Sequence, residues 1–178
     1  MRVPSCVFSL VLLTVAAAPF AAGQGQVVRE EIPGIRNFAQ IESTVACAGA
    51  ITPESVTGIR EMGFRSIVNL RMATEQGANV EAEAAAAREA GINYVHLPFN
   101  GQAPDRAVVD RFIDAMSEEG NQPAFVHCAG GSRAAAMWLA KRLVIDAWDT
   151  DRAMREATAL GLSSEPLGAF ILDYAAAR

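Results

Sequence analysis

The chain has 178 residues, 51 % of them apolar, with 15 basic and 20 acidic side chains for a net charge of −5. That is apolar material enough for one ordinary domain core. It excludes a nucleic-acid surface, because no Lys/Arg run occurs and Lys141 is the sole lysine. The two histidines, His96 and His127, stand far apart and form no metal-ligand cluster, so neither a metal nor a cofactor is expected.

Residues 1–23 read as a secretory signal peptide: Arg2, an apolar run over 7–20, then the small residues Ala21-Ala22-Gly23. The run is short and is followed at once by Gln24-Gly25-Gln26, which argues against a membrane span. The expectation is a periplasmic or secreted protein with no stable membrane insertion after cleavage. Removal of 1–23 takes Arg2 and no acid, leaving 14 basic against 20 acidic residues, a charge of −6. The remainder divides into a lead-in segment, 24–36, and one domain, 37–178. Its two cysteines are Cys47 and Cys128. Cys128 is expected to stay a thiol with Cys47 a buried small apolar residue; a Cys47–Cys128 bond, structural or reversible, is the alternative in an oxidising compartment.

Along the chain, 32–39 reads as a loop and 41–48 as an early strand or hairpin. Thr52-Pro53-Glu54 starts a helix that stops at Gly63. The β-branched run over 64–70 predicts a strand, the alanine-rich 80–90 a helix closed by Gly91, and 92–99 another strand. Glu81, Glu83 and Glu89 read as the solvated face of that helix. Asp105 caps a helix through 117, with Val108, Val109, Phe112, Ile113 and Met116 at helical spacing. A turn over 120–123 leads to a buried strand at 124–127, followed by helices over 132–148, from the Thr150-Asp151 cap to Gly161, and from Ser163 or Ser164 to the C-terminus. Strands alternating with helices make this an α/β fold with a largely parallel central sheet.

The chemistry concentrates at Phe125-Val126-His127-Cys128-Ala129-Gly130-Gly131-Ser132-Arg133. A strand ends in His-Cys, two glycines turn the chain, and a helix begins. Such a turn points N–H groups inward and adds the positive end of a helix dipole, a cradle for an anion. A cysteine at its rim is favoured as thiolate, and an arginine at its end can fork onto an oxyanion. Cys128 is the candidate nucleophile, Arg133 the clamp, and Ala129, Gly130, Gly131 and Ser132 the anion-binding backbone, with Ser132 also placed to cap the helix.

This segment resembles the cysteine-dependent phosphatase superfamily in its compact dual-specificity form. Phe64-Arg65-Ser66-Ile67-Val68-Asn69-Leu70-Arg71 with Glu75, followed by Gly91-Ile92-Asn93-Tyr94-Val95-His96-Leu97-Pro98, resembles the bacterial phosphatase-like group related to beta-lactamase-hydrolase-like proteins. The resemblance spans about 37–174. It implies a central, mostly parallel sheet of about four to five strands flanked by helices. It also implies a small anionic or phosphorylated substrate, attack by Cys128 on phosphorus, and a phospho-cysteine that water hydrolyses. On that reading His127 orients the loop. The family's acid is an Asp on a preceding loop; Asp105 is the nearest here, although capping explains it equally well. Arg71 either adds charge to the pocket or pairs with Glu75.

One departure matters. Four residues separate Cys128 from Arg133, one fewer than in the usual phosphatase loop. That shorter gap is typical of rhodanese-like sulfurtransferases, which carry a persulfide on the cysteine. Members of the bacterial group resembled here also tend to have it. Phosphatase, sulfurtransferase and a non-catalytic anion-binding module therefore stay open as three readings.

Overall fold

Residues 45–48, 66–69 and 124–127 are each buried on both faces, the pattern of parallel strands covered by helices on two sides. The computed structural model describes residues 25–41 and 43–178. The signal-peptide expectation lies outside the described residues. Six strands, β1 (Val27–Ile32), β2 (Ile35–Ile41), β3 (Val45–Ala48), β4 (Ser66–Asn69), β5 (Asn93–His96) and β6 (Ala124–His127), form one sheet in the order β1-β2-β3-β6-β4-β5. The pairs β3–β6, β6–β4 and β4–β5 are parallel, while β1–β2 and β2–β3 are antiparallel.

The sheet is wider than the four to five strands expected. The segment read as a loop over 32–39 is half of a hairpin, β1–β2, that turns at Pro33-Gly34. β1 runs Val-Val-Arg-Glu-Glu-Ile along the sheet edge, with its four central residues exposed. Its charged side chains protect an edge strand from pairing with other chains and also hide the strand pattern.

Among the described residues six α-helices cover the sheet: α1 (Val56–Glu61), α2 (Val80–Ala90), α3 (Arg106–Ser117), α4 (Ser132–Val144), α5 (Thr150–Leu160) and α6 (Glu165–Ala176). Among the described residues no helix is long and apolar enough to cross a membrane. Asp105 caps α3 through its Oδ1, which accepts from Ala107 N–H at 2.9 Å. Asp149, one residue earlier than expected, caps α5 through Arg152 N–H, and Ser164 caps α6 ahead of Pro166. α4 ends at Val144, short of the predicted 148. The chain leaves it because Asp146 folds back to pair with Lys141 and Arg142, which places Trp148 against the guanidinium groups of Arg142 and Arg152.

Side chains of β6 alternate between two cores. Val126 and Cys128 enter the larger one with Ala134–Ala140, Phe112 and Ile171; Phe125 enters the smaller one with Ile59, Phe64 and Ile67. Phe125 is fully buried, stacked 6.2 Å from Phe38 and edge-on 5.6 Å from Phe64. We expect Phe125→Ala to cost roughly 3–5 kcal/mol of unfolding free energy, read from denaturant midpoints. A cost below about 1 kcal/mol would contradict its place at the centre of the smaller core.

Candidate active site

The loop 128–131 leaves the carboxyl end of β6, in the middle of the sheet, and delivers the chain into α4. Parallel register places Ala48 of β3 beside His127, so the loop runs alongside the segment that follows β3. Cys128 N–H donates to Ala48 O at 3.2 Å, and Ala50 N–H donates to Ala129 O at 3.1 Å. Asn37, from β2, donates through Nδ2 to Gly130 O at 2.9 Å. Two successive loop carbonyls are thereby tied to the β2–β3 side.

A trans peptide places its N–H opposite its C=O. Fixing the Gly130 oxygen on Asn37 therefore turns the Gly131 N–H away from Asn37, while the Gly49–Gly130 bridge keeps the loop against the end of β3. Gly131 N–H donates to Cys128 Sγ at 3.1 Å. Only glycine serves at 131, where φ is +106°. Gly49 is needed for closeness: a Cβ there would lie 3.0 Å from Ala129 O and 3.1 Å from Arg36 O.

Cys128 is 2 % exposed. Cys47 and Cys128 are both free thiols, and β3–β6 register sets Cys47 beside Val126, two residues before Cys128. Burial, together with the charges of Cys128 and Glu156, pushes the Cys47 thiol up, so it is an inert member of the core.

Arg133, in the first turn of α4, is held from three sides. Its Nη1 donates to Glu75 Oε1 at 2.6 Å, to Phe99 O at 2.8 Å and to Leu70 O at 3.2 Å, and its Nη2 donates to Glu75 Oε2 at 2.9 Å. Two parallel bonds to one carboxylate make the fork of a bidentate pair. Burial alone would lower the guanidinium; the hydrogen bonds and charge of Glu75 and the charge of Cys128 outweigh it and raise it above its ordinary value. Burial alone would likewise raise the Glu75 carboxyl, but Arg133, Met72 N–H and Arg71 together bring it down to about 2.

Arg71 is 3 % exposed and takes the second of its expected roles. It donates to Gln76 O at 2.7 Å and Gly77 O at 2.8 Å and lies 3.4 Å from Glu75 Oε2. It braces the carboxylate that holds Arg133 and does not line the cavity. Ser132 does not cap α4, whose N-cap is Gly131; its hydroxyl accepts from Ser163 N–H at 3.1 Å and ties the loop to the start of α6. The cavity beside Arg133, about 340 Å³, is otherwise lined by Glu75, Asn100, Gly101, Gln102, Ser132, Ser164 and Leu167. Neither Cys128 nor Asp105 is in that lining: Cys128 is buried beneath the loop, and the Asp105 carboxylate is engaged as the α3 cap.

Glu83 corrects the expectation of a solvated face: it is fully buried. Its Oε2 accepts from Asn69 Nδ2 at 2.8 Å and from Tyr94 Oη at 2.9 Å, and lies 3.3 Å from His127 Nε2. The last contact lacks hydrogen-bond alignment, and neither ring nitrogen of His127 has a hydrogen-bond partner among the described residues, so the expected loop-orienting bond from His127 is not formed. Burial, then the Glu83 charge and hydrogen bond, push the Tyr94 hydroxyl up against the pull of Asn69. Asn69 Oδ1 accepts from Arg71 N–H at 2.7 Å, so the buried network reaches the strand end that carries Arg71. His127 thus faces α2, away from the nucleophile's side of the sheet. The spacing of Glu83 and Ala87, both buried on α2, is the one sequence sign of this arrangement. Nothing in the sequence marks Asn37.

Residues 26–165 match the family described as DSP-PTPase phosphatase fused to NAD+ kinase. The Beta-lactamase hydrolase-like protein of Agrobacterium fabrum is 33 % identical over 104 residues, covering 56 % of this chain and 23 % of its own length. The same-named protein of Xylella fastidiosa is 32 % identical over 111 residues, 60 % of this chain and 25 % of its own. The chain thus spans about a quarter of the length of these curated relatives. Among solved structures, P. aeruginosa TpbA in complex with pTyr superposes with a TM-score of 0.62 at 17 % identity, covering 88 % of this chain and 90 % of that one. At that identity the likeness speaks for the fold. On the match of 26–165, the chain belongs to the family of DSP-PTPase phosphatases fused to NAD+ kinase.

Proposed function

We propose that the chain hydrolyses phosphomonoesters through a phospho-cysteine on Cys128, in the periplasm or outside the cell. The observation that carries this reading is the meeting of Cys128 Sγ with the Gly131 N–H at 3.1 Å, beside an Arg133 fixed by two bonds to Glu75. Thiolate sulfur attacks phosphorus and the ester oxygen departs with its electron pair. Water then attacks the phospho-cysteine and returns the thiolate. Loop N–H groups and the guanidinium would stabilise the charge that spreads over the equatorial oxygens.

Protonation of the leaving group limits the substrate. Glu75, with its carboxyl near 2, is ionised at neutral pH and cannot supply a proton. Besides Arg133, the other lining residues are amides, hydroxyls, a glycine and a leucine. We therefore infer an aryl phosphate, whose leaving oxygen needs little help, in preference to an alkyl phosphate. The pTyr bound by the P. aeruginosa relative supports the same class.

Wild type should release p-nitrophenol from its phosphate ester, Cys128→Ser should not, and neither should form thiocyanate from thiosulfate and cyanide. Thiocyanate formation that depends on Cys128 would replace this reading with sulfur transfer. Turnover of an alkyl phosphate should fall below that of the aryl ester by roughly a hundredfold or more, and Asp105→Asn should leave aryl turnover unaltered. A comparable rate on both esters would reveal a proton donor outside the lining.

Arg133→Lys, which keeps charge but loses the fork, should lower kcat by roughly a hundredfold. The folded value of Glu75, about 2, lies below its ordinary 4.5. Its contribution to stability is therefore complete above pH about 4.5 and is lost as pH falls through about 2. Glu75→Gln should flatten that part of the acid-unfolding curve; an unchanged acid limb would contradict the pairing with Arg133.

A further inference from the structure

We infer that Asn37 is a positioning residue for the nucleophile, acting through the Gly130–Gly131 peptide. The inference rests on the proposed use of Cys128 as a thiolate. Asn37 sits on β2, outside the loop, the helix after it and the cavity lining. Two observations single it out. Its backbone is left-handed, with φ +50°, a conformation shared among the described non-glycine residues only with Ala147. Such strain persists where surrounding structure enforces it, and it gathers at functional sites. Its side chain spends its amide on Gly130 O, 93 positions away in the chain, at 2.9 Å.

The consequence follows from one peptide plane. Gly130 O and Gly131 H belong to the same planar group and point in opposite directions. Holding the oxygen on the β2 side aims the hydrogen at Cys128 Sγ, where the N–H donates at 3.1 Å. The adjoining carbonyl, Ala129 O, is held by a backbone donor, Ala50 N–H. Of these two carbonyls, only Gly130 depends on a side chain to fix it. A Gly-Gly peptide has little intrinsic preference for either orientation. The Gly49–Gly130 bridge holds the loop by its backbone, and the Asn37 amide is the side-chain anchor that biases this peptide toward aiming its N–H at the sulfur. Asn37 is exposed, so replacing it opens no cavity in the core.

Two variants separate the amide from the backbone. Asn37→Gly accommodates φ +50° and removes the donor. Asn37→Asp keeps the size and tolerance of left-handed backbone but sets a carboxylate against a carbonyl. For wild type and both variants, the rate of iodoacetamide alkylation of Cys128 is followed against pH by peptide mass spectrometry. In parallel, kcat and KM are measured with p-nitrophenyl phosphate and Tm by calorimetry. The alkylation midpoint should move to higher pH in both variants and further in Asn37→Asp. In both, kcat should fall by roughly three- to tenfold, the scale of one lost net hydrogen bond. Tm should stay within a few degrees of wild type. An unmoved alkylation midpoint in Asn37→Gly overturns the inference, including the case where Asn37→Asp alone shifts, since that shift belongs to the new charge. A wild-type protein without Cys128-dependent aryl phosphatase activity would sink the proposed function, while the alkylation profiles would still decide the role of Asn37.

Discussion

What the frame around residues 128–131 ties down is carbonyl oxygen. Ala129 O goes to Ala50 N–H and Gly130 O to the Asn37 amide, and peptide planarity does the rest. An anion cradle needs N–H groups turned inward, and a short glycine loop has no side chains with which to enforce that. The enforcement comes from the neighbouring strand pair. It therefore depends on the β3–β6 register, Ala48 beside His127, and on Gly49, where a Cβ would meet Ala129 O. A slip of one residue would turn every side chain of β6 to the opposite face and move Cys128 out of the larger core.

The charges follow the same logic of holding groups still. Arg133 is fixed by Glu75, Glu75 by Met72 N–H and Arg71, and Arg71 by the carbonyls of Gln76 and Gly77. Glu75 and Arg133 both keep contact with solvent, so the stability drawn from their pairing is modest. Its value is geometric: a bidentate pair sets the plane of the guanidinium before an oxyanion arrives. On the other side of the sheet, Glu83, Tyr94, Asn69 and His127 form a buried polar group that links α2 to the ends of β4 and β6. Its hydrogen bonds join Glu83, Tyr94 and Asn69 and run on to the Arg71 N–H, while the His127 ring stands beside them without a bond of its own.

The strand, glycine turn and helix start that carry Cys128 and Arg133, the proposed nucleophile and clamp, were legible because they follow one another within a few consecutive residues. α2, α3 and β6 were legible from local signals too: the Gly91 stop for α2, the Asp105 cap and helical spacing for α3, and the apolar run after the turn for β6. The β1–β2 hairpin was not, because an edge strand of Arg29, Glu30 and Glu31 carries none of the apolar alternation that marks a half-buried strand. Glu83 was misread because a glutamate on an alanine-rich helix is ordinarily solvated; only three-dimensional proximity to Asn69 and Tyr94 explains its burial. Asn37 and the carbonyls that receive Arg133 depend on contacts between distant parts of the chain, which local patterns do not encode. The four-residue gap was legible as a count, and the count alone does not choose between phosphorus and sulfur.

That gap leaves the element bound to sulfur as the central matter, and mass decides it. The protein is mixed with excess p-nitrophenyl phosphate, quenched in acid within the first turnovers, and its Cys128 peptide weighed. The account predicts one phosphoryl group on that peptide, absent from Cys128→Ser. A sulfur atom in its place, or turnover with Cys128 left unmodified throughout, would contradict it.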